Sequence, residues 1–400
     1  MRQYVIIGNG AAGASAAQKI RTGDPDGQIT IYTDEPLGYY YRPRLIDYLA
    51  GEVQVPSFTL HDQAWYDKNN ITLRAGVTVN AVDPKDAWVE ASDGSREAYD
   101  ALLLATGARS FVPPVPGSDK AGVFALRTVA DADQIREAAG GVAQVILVGG
   151  GLLGLEAGAA LAKLGLQVQV VEFFDRLLPR QMDPAAAAML QKLLEGRGFS
   201  FYLGARSKEI TGGARADGLT LEGGAHLAGG LVLFSAGIRP NLDLAQAMGL
   251  DTDKGVKVDD RLQTSREGVW AAGDLVEHRG RIYGIWPACL EQGQVAGVNM
   301  AGGAELYQGT VMSNSLKVVG VDLTAAGEID AEGKFPSAVY QDAESYRKIV
   351  FQDGKIAGLI FFGLTAGVKE ALQAMKAGAE AAHLQAQMQE KDFDFSRLTA

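Results

Sequence analysis

The chain has 400 residues, of which 47% are hydrophobic and 21% are charged, and its formal net charge is −11. This length and hydrophobicity predict two or three domains with cores of their own. The acidic balance argues against nucleic acid or an anionic membrane surface as a partner. The first apolar segment begins directly after Met1-Arg2-Gln3. We see no charged and apolar regions of a signal peptide there, and we predict a cytoplasmic protein.

The first predicted element is an apolar strand, residues 4–7, which runs into the glycine fingerprint Gly8-Asn9-Gly10-Ala11-Ala12-Gly13. A helix to Ile20, a strand at 29–32 and the acidic pair Asp34-Glu35 follow. In this motif the first glycine permits a tight turn, the second lets the backbone approach a pyrophosphate, and the third packs helix on strand. We therefore predict a dinucleotide site whose phosphates face the helix N-terminus and whose ribose is met by a carboxylate.

Strand-like segments follow this first module. Residues 36–60 show no clear period, whereas residues 71–82 and 87–99 alternate as strands do. The apolar run 101–107 ends in small residues, which is typical of a buried parallel strand whose carboxyl end lies beside a ligand. Three prolines within residues 111–117 indicate a linker.

A second fingerprint repeats the pattern about 140 residues later. An apolar strand at 145–148 leads into Gly149-Gly150-Gly151-Leu152-Leu153-Gly154, a helix to about Leu164, a strand at 168–171 and Glu172. Short strands are predicted over 199–227, and the run 231–237 repeats the apolar-then-small character of 101–107. One such fingerprint is weak evidence, but two in the same context indicate a duplicated nucleotide-binding module.

The remaining chain predicts one further strand-to-helix region and a small domain. Residues 269–274 form an apolar run ending in Asp274, and Pro287 fits the first position of a helix over 288–300. Residues 310–400 show strand candidates at 315–321, 346–351 and 356–362, followed by a long helix rich in Ala, Gln, Lys and Glu.

The only cysteine is Cys289, so no intrachain disulfide can form and no dithiol relay is possible. A thiol at a helix start favours a lowered pKa, yet a packed core thiol is the preferred interpretation. The four histidines are scattered without partners at metal-ligand spacing, and we predict no metal site.

The motif order GxGxxG, YYYRP, ATG, GxGxxGxE, AGIRPN, AAGD and EQGxVAGxNMAG resembles the flavoprotein reductases with two dinucleotide sites, the superfamily of glutathione reductase. The resemblance covers residues 1–303. Within this superfamily the chain looks most like NADH:rubredoxin oxidoreductases, with the flavoprotein portion of assimilatory nitrite reductases next. The resemblance implies FAD and NAD(H) as cofactors.

The implied fold is α/β, with two Rossmann-like domains of the glutathione-reductase type and a small C-terminal α+β domain. We predict a discontinuous FAD-binding domain at 1–112 and 240–309, an NAD-binding domain at 113–239, and the small domain at 310–400.

The resemblance also assigns cofactor residues, each by its position in a motif. Those for FAD are Gly8, Gly10, Ala11, Ala12, Gly13, Asp34, Glu35, Arg42, Pro43, Val79, Ala105, Thr106, Gly107, Gly273, Asp274 and Trp286. Gly237, in the AGIRPN motif, is a further cofactor-binding position that is not assigned to one of the two cofactors. Those for NAD are Gly149, Gly151, Leu152, Leu153, Gly154 and Glu172. The Glu172 carboxylate accepts hydrogen bonds from the hydroxyls of a free ribose and repels a 2′-phosphate, so NADH is expected over NADPH. Arg176, four residues further on, softens that preference.

Two residues are implied in catalysis, Glu156 and Arg42. In the family the Glu156 position points toward the nicotinamide and the flavin, and related ferredoxin reductases pair it with a lysine. That lysine position is Asp47 here, so Arg42 or Arg44 is the alternative partner. The competing interpretation is a carboxylate in the first turn of a helix, which the helix dipole alone favours.

These implications define a function and its rivals. The expected activity is hydride transfer from NADH to FAD, with electrons passed on to a small redox protein such as rubredoxin, by a monomeric oxidoreductase. The alternatives are an NADH oxidase or diaphorase, a nitrite-reductase-type flavoprotein subunit, and an NADH-sensing redox interaction protein. The identity of the acceptor is left open.

Overall fold

The computed structural model describes residues 1–310, 313–318 and 320–398. The chain divides into two compact units. Unit 1 comprises Met1–Ser110, Arg127–Val129 and Gly237–Thr310, and unit 2 comprises Phe111–Leu126, Ala130–Ala236 and Val311–Ala400. The first boundary falls at the start of the predicted proline-rich linker. The finer division into three domains stays a prediction.

The elements of unit 1 are numbered along the whole chain. Its strands are β1 Gln3–Ile7, β2 Gln28–Thr33, β3 Tyr39–Tyr40, β4 Thr59–His61, β5 Ile71–Ala75, β6 Val79–Asp83, β7 Trp88–Ala91, β8 Arg96–Ala98, β9 Ala101–Leu104, β10 Ala108–Ser110, β19 Ile238–Pro240, β20 Val256–Val258, β21 Val269–Ala271 and β22 Val276–His278. Its helices are α1 Ala11–Gly23, α2 Leu45–Leu49, α3 Gln63–Lys68, α7 Asp243–Ala247 and α8 Trp286–Met300.

Unit 1 is built on a five-stranded parallel sheet in the order β21-β9-β1-β2-β5. All four residues of β9 are buried, as are four of the five in β1, because helices and loops cover both faces of such a sheet. The predicted strand at 101–107 is thus confirmed as β9. The glycine fingerprint and the segment 105–107 both follow the carboxyl ends of neighbouring strands, where open α/β sheets bind ligands.

Helices α1 and α8 pack closely on this sheet. A Cβ atom added to Gly293 would collide with the backbone of Ala12, and one added to Gly297 with that of Ala16. Small residues at i and i+4 on both helices therefore allow the backbones to approach. This contact fixes the start of α1, which carries the first fingerprint, relative to α8.

The predicted strands over 71–99 are confirmed, but they serve two sheets. Strand β5 joins the parallel sheet, whereas β6, β7 and β8 form a three-stranded antiparallel sheet. Smaller two-stranded pairs complete the unit: β3 with β4, β10 with β19, and β20 with β22.

The strands of unit 2 are β11 Val123–Ala125, β12 Gln144–Val148, β13 Gln167–Val171, β14 Phe199–Tyr202, β15 Ser207–Thr211, β16 Gly218–Leu221, β17 His226–Ala228, β18 Leu231–Phe234, β23 Ser313–Val318, β24 Val321–Gly327, β25 Ser337–Gln341, β26 Tyr346–Gln352 and β27 Lys355–Phe362. Its helices are α4 Val129–Ala139, α5 Leu152–Lys163, α6 Pro184–Glu195 and α9 Val368–Ala377.

Unit 2 repeats the architecture of unit 1 around the second fingerprint. Its parallel sheet has the order β11-β18-β12-β13-β14, and an antiparallel sheet β15-β16-β17 accompanies it. The fingerprint follows β12, and Glu172 follows β13, as the sequence predicts. The interpretation of a duplicated module is consistent with this pair of sheets.

The C-terminal part is an antiparallel sheet, β23-β24-β27-β26-β25, covered by α9. The predicted strand at 315–321 is confirmed over 315–318 as part of β23, but its end is wrong, because the chain turns at Gly320 and Val321 already belongs to β24. Residue 319 lies outside the described residues. Strand β25 and the part of β24 beyond Val321 were not predicted. The long helix is also wrong, since α9 spans ten residues and ends at Gly378, whose φ of +63° makes a left-handed C-cap.

Among the described residues, we find no helix with the length and apolar character needed to span a bilayer.

Candidate dinucleotide-binding sites

The first glycine loop has the shape that a bound pyrophosphate needs. Gly8 has φ +114°, and a Cβ there would collide with the carbonyl of Ala105 on the neighbouring strand end. A Cβ on Gly13 would collide with the carbonyl of Gly8, whereas nothing lies within 4 Å of a Cβ placed on Gly10. Two glycines are thus required by the protein itself, and the third faces open space that a ligand can enter.

The helices that follow the two fingerprints begin without side-chain caps. No side chain caps α1 at Gly10 or α5 at Gly151, and neither helix has an acidic residue in its first turn. By contrast, Asp62 caps α3 and Asp183 caps α6. The free N–H groups and the positive ends of α1 and α5 therefore remain available for anionic oxygens.

A cleft of about 270 Å³ opens beside the first loop. Its lining residues are Asn9, Gly10, Ala11, Thr33, Glu35, Leu37, Gly38, Tyr40, Arg42 and Trp286. Half of them are FAD positions implied by the resemblance, drawn from the fingerprint, the acidic end of β2, the YYYRP segment and the start of α8. The structure therefore brings these positions together, and the set fits the phosphate and ribose chemistry of a dinucleotide.

A chain of charged groups runs through the residues that the resemblance implies for FAD. Glu35 forms an ion pair with Arg42 at 2.7 Å and accepts a hydrogen bond from the Tyr40 hydroxyl at 2.6 Å. Arg42 also donates to the backbone carbonyl of Arg127, and Arg127 forms an ion pair with Asp274 at 2.7 Å. Both oxygens of Glu35 thus have protein partners, and its main structural task is to hold Arg42.

Sequence reasoning missed Arg127 as a site residue. It lies 85 residues from Arg42 and 147 from Asp274 in the chain, just before α4, and no motif marks it. The Arg-Thr-Val-Ala-Asp stretch at the helix start, residues 127–131, is too short to have indicated this role.

Around Asp274 the structure is tightly bonded. The Cys289 thiol lies 3.3 Å from a carboxylate oxygen of Asp274, and the N–H of Gly273 donates to the side chain of buried Gln292 at 2.8 Å. Burial, aided by Asp274, raises the pKa of the Cys289 thiol well above its usual value. The interpretation of Cys289 as a packed, protonated thiol is consistent with this environment.

Aromatic side chains gather at the start of α8. The ring of Trp286 stacks on that of Tyr39 at 5.8 Å and meets that of Tyr41 edge-on at 4.9 Å. The helix begins at Trp286, so Pro287 occupies its second position, and the predicted first position is wrong by one residue. Proline is tolerated there because the N–H groups of the first turn have no partner within the helix.

The remaining positions implied for FAD lie outside the cleft lining. Asp34 is exposed, Pro43 lies in the 3-10 turn Arg42–Arg44, and Val79 is buried in β6. The backbone carbonyl of Thr106 accepts a hydrogen bond from the side-chain amide of Asn241 at 2.8 Å. Ala12, Ala105 and Gly107 are backbone positions near the strand ends and the first helix, and Gly237, the cofactor position without an assigned cofactor, directly precedes β19.

In unit 2 the second loop repeats the steric pattern of the first. Gly149 has φ +119°, a Cβ on Gly154 would collide with the carbonyl of Gly149, and Gly151 faces open space. The carboxylate of Glu172 accepts from the N–H of Gly150 at 2.6 Å and from that of Phe174 at 2.9 Å, and the residue is buried. Glu172 thus stabilises the loop, while its remaining lone pairs can accept ribose hydroxyls.

The structure changes the account of Glu156. Helix α5 begins at Leu152, so Glu156 lies in the second turn, and the predicted first-turn position is wrong. The dipole argument therefore loses force, because the effect falls off beyond the first turn. The suggested partners have other ion pairs: Arg42 with Glu35, and Arg44 with Asp47 at 2.9 Å.

Within the described part of the chain, we find no group of three or more His, Cys, Asp or Glu side chains that could hold a metal ion.

Comparison with known protein families gives two matches along the chain. Residues 2–293 match the model of the pyridine nucleotide-disulphide oxidoreductase family, and residues 313–379 match the rubredoxin NAD+ reductase C-terminal domain. The resemblance drawn from the motifs, the α/β fold with parallel sheets, and the prediction of FAD and NAD(H) as cofactors are confirmed by these matches.

Individual relatives and structures agree with the family. The chain is 37% identical to a nitrite reductase [NAD(P)H] of Bacillus subtilis over 90% of its own length, but it spans only 46%, about half, of that relative. It is 28% identical to an NADH-rubredoxin oxidoreductase of Clostridium acetobutylicum over 94% of this chain and 95% of the relative. The crystal structure of a ferredoxin reductase for the CYP199A2 system from Rhodopseudomonas palustris superposes with a TM-score of 0.90 at 25% identity, covering 100% of both chains.

Proposed function

The chain belongs to the pyridine nucleotide-disulphide oxidoreductase family, and we propose that it passes electrons from NADH, through FAD, to a small redox protein such as rubredoxin. The observation that carries this proposal is the second match, to the rubredoxin NAD+ reductase C-terminal domain at residues 313–379. The similarity to an NADH-rubredoxin oxidoreductase along nearly the whole length of both chains supports it. When bound, FAD supplies the chemistry that takes up two electrons as a hydride and releases them one at a time.

In this proposal unit 1 holds FAD. The uncapped start of α1 donates to the pyrophosphate, Glu35 or Asp34 meets the ribose, and Arg42 lies along the cofactor. Support comes from the cleft that these residues line and from the ion pairs that hold Arg42 in place. Asp274, oriented by Arg127, is proposed to bond the ribityl chain or a phosphate.

In unit 2 the proposed nucleotide is NADH. Its pyrophosphate meets the uncapped start of α5, and Glu172 accepts ribose hydroxyls. A buried carboxylate held by two backbone N–H groups at the end of β13 disfavours a 2′-phosphate, which supports NADH over NADPH. A catalytic role of Glu156 in orienting the nicotinamide remains part of the proposal.

Electrons leave without a cysteine pair. Cys289 is the sole cysteine of the sequence, and its burial keeps the thiol protonated at neutral pH. A thiol that is not ionised is neither a nucleophile nor a redox partner. The exit route is therefore proposed to be direct transfer to the acceptor protein. The monomeric state and the cytoplasmic location stay predictions.

The test is anaerobic mixing of the purified chain with NADH, followed by rubredoxin. We expect the flavin absorbance bands to bleach with NADH and rubredoxin to be reduced catalytically, with little oxygen consumption in aerated controls. NADPH serves as the matched control and should bleach the bands more slowly. Bleaching without any rubredoxin reduction would overturn the proposed acceptor.

One rival function has a specific observation in its favour. The identity to the Bacillus subtilis nitrite reductase is higher than that to the rubredoxin reductase, which favours a flavoprotein unit that feeds a larger nitrite-reducing assembly. This rival predicts slow turnover with rubredoxin. Fast oxygen consumption would instead indicate an NADH oxidase. Slow turnover with every acceptor, together with a change in sedimentation on reduction, would indicate a redox-sensing interaction protein.

A further inference from the structure

The residue between the first two glycines of the first fingerprint, Asn9, is polar, and its side-chain NH2 group has no hydrogen-bond partner. Asn9 accepts a hydrogen bond on Oδ1 from the hydroxyl of Tyr66 at 3.0 Å. That same hydroxyl accepts from the backbone N–H of Tyr39 at 3.1 Å, so its own proton goes to Asn9. Burial raises the pKa of Tyr66, and the hydroxyl therefore stays protonated and keeps donating.

This arrangement fixes the direction of the Asn9 amide. Since Oδ1 faces Tyr66, the NH2 group must point elsewhere, and its nitrogen is buried without a hydrogen-bond partner. Several other buried polar atoms among the described side chains also have no partner, but Asn9 is the one whose residue lines the cleft. A buried donor without an acceptor is costly, and an oxygen of a bound ligand in the cleft would remove that cost.

The second fingerprint shows that this side chain is not part of the shared loop design. The matching position there is Gly150, and a Cβ added to it would lie 2.9 Å from a methyl of Leu177 and 3.2 Å from the carboxylate of Glu172. The second loop could take a side chain at this position only if Leu177 and Glu172 shifted. The first loop has room and fills it with an amide held in one orientation by a fully buried tyrosine.

We infer that Asn9 is a further FAD-binding residue, whose Nδ2 donates to an oxygen of FAD beside the glycine loop, and that Tyr66 is its positioning residue. The inference rests on the proposed FAD site of unit 1. The acceptor is either a phosphate oxygen or a sugar hydroxyl of the cofactor, since both lie within the chemistry of a dinucleotide.

The experiment compares Asn9→Ala, Asn9→Asp and Tyr66→Phe with the wild type in the full-length protein. FAD affinity is measured by fluorescence titration, and the melting temperature is followed as FAD is added. Loss of one hydrogen bond to a ligand oxygen predicts a roughly tenfold weaker FAD affinity for Asn9→Ala. That variant removes an unpaired donor but also leaves the buried Tyr66 hydroxyl without its acceptor, so its melting temperature at low FAD should fall. The diagnostic result is that the gain in melting temperature on adding FAD should be smaller than in the wild type.

The control is Asn69→Ala, in the same unit. The Asn69 amide donates to the carbonyl of Trp65 at 2.7 Å, so its loss should lower the melting temperature at every FAD concentration and leave the FAD affinity unchanged. Tyr66→Phe frees the Asn9 amide to rotate and should weaken FAD binding less than Asn9→Ala does.

The charged variant separates the two acceptors. With Asn9→Asp, a phosphate acceptor predicts weaker binding than with Asn9→Ala because of charge repulsion, whereas a hydroxyl acceptor predicts binding close to the wild type. Wild-type FAD affinity in both Asn9→Ala and Asn9→Asp would overturn the inference, as would a melting-temperature gain on adding FAD that equals the wild-type gain. A protein that binds FAD normally but fails to reduce rubredoxin would refute the proposed function and leave this comparison intact.

Discussion

Replacing Asp183 should destabilise unit 2 more than any surface change of the same kind. The Asp183 carboxylate is buried and caps α6 by accepting from the N–H of Ala186 at 3.0 Å. Its other oxygen accepts from the hydroxyl of Tyr346 and lies 3.5 Å from the buried ammonium of Lys348. One side chain thus joins the start of α6 to strand β26 of the C-terminal sheet.

The expected cost follows from these contacts. Loss of an Asp cap costs about 1 kcal/mol. Removing one partner of a buried ion pair costs about 3–5 kcal/mol. The lower end applies here because Lys348 keeps a hydrogen bond to the carbonyl of Asp330 at 2.6 Å. Asp183→Ala should therefore lower the free energy of unfolding by about 4 kcal/mol. Asp183→Asn, which keeps an oxygen for the cap, should cost about half of that.

The assay is urea unfolding at saturating FAD, followed by far-ultraviolet circular dichroism. The matched control is Asp175→Ala, since the Asp175 side chain is 83% exposed and its ion pair with Arg176 is on the surface. Such pairs contribute about 0–1 kcal/mol. All four tryptophans lie in unit 1, so their fluorescence reports on that unit separately. Equal midpoints for Asp183→Ala and Asp175→Ala would refute the reasoning.

Three further outcomes are expected. Burial lowers the pKa of His61 to about 4, so the unfolded state binds the extra proton first as the pH falls. The melting temperature should therefore drop between about pH 6.5 and 4, and His61→Gln should flatten that drop; an unchanged slope would contradict the burial argument. Cys289 should react with a thiol reagent at pH 8 more slowly in the native protein than after denaturation, because the thiol is partly buried and its pKa is raised. Equally fast labelling of the native and denatured protein would contradict this. Gly154→Ala should weaken NADH binding at least tenfold, because a Cβ there collides with the carbonyl of Gly149, and FAD affinity should be retained. A wild-type NADH dissociation constant in this variant would disprove the steric requirement.

The sequence alone determined the two glycine loops and the strands and helices around them. Each loop depends on backbone conformation and on contacts between residues a few positions apart, such as Gly8 with Gly13. Such a requirement involves only residues that are close together in the chain. The spacing of the motifs therefore predicted the turn, the helix packing and the open position at Gly10.

Only the tertiary structure decided which charges meet. Arg127 pairs with Asp274, which lies 147 residues away in the chain. Glu35 and Glu172 hold similar positions after their fingerprints, but their partners differ. Glu35 bonds to the side chains of Arg42 and Tyr40, whereas Glu172 accepts from backbone N–H groups. The length of α9 was likewise misjudged, because a helix-favouring composition does not reveal where a left-handed glycine ends the helix. Side-chain pairing depends on which elements the fold brings together, and the local sequence does not show which distant residues will be close in space.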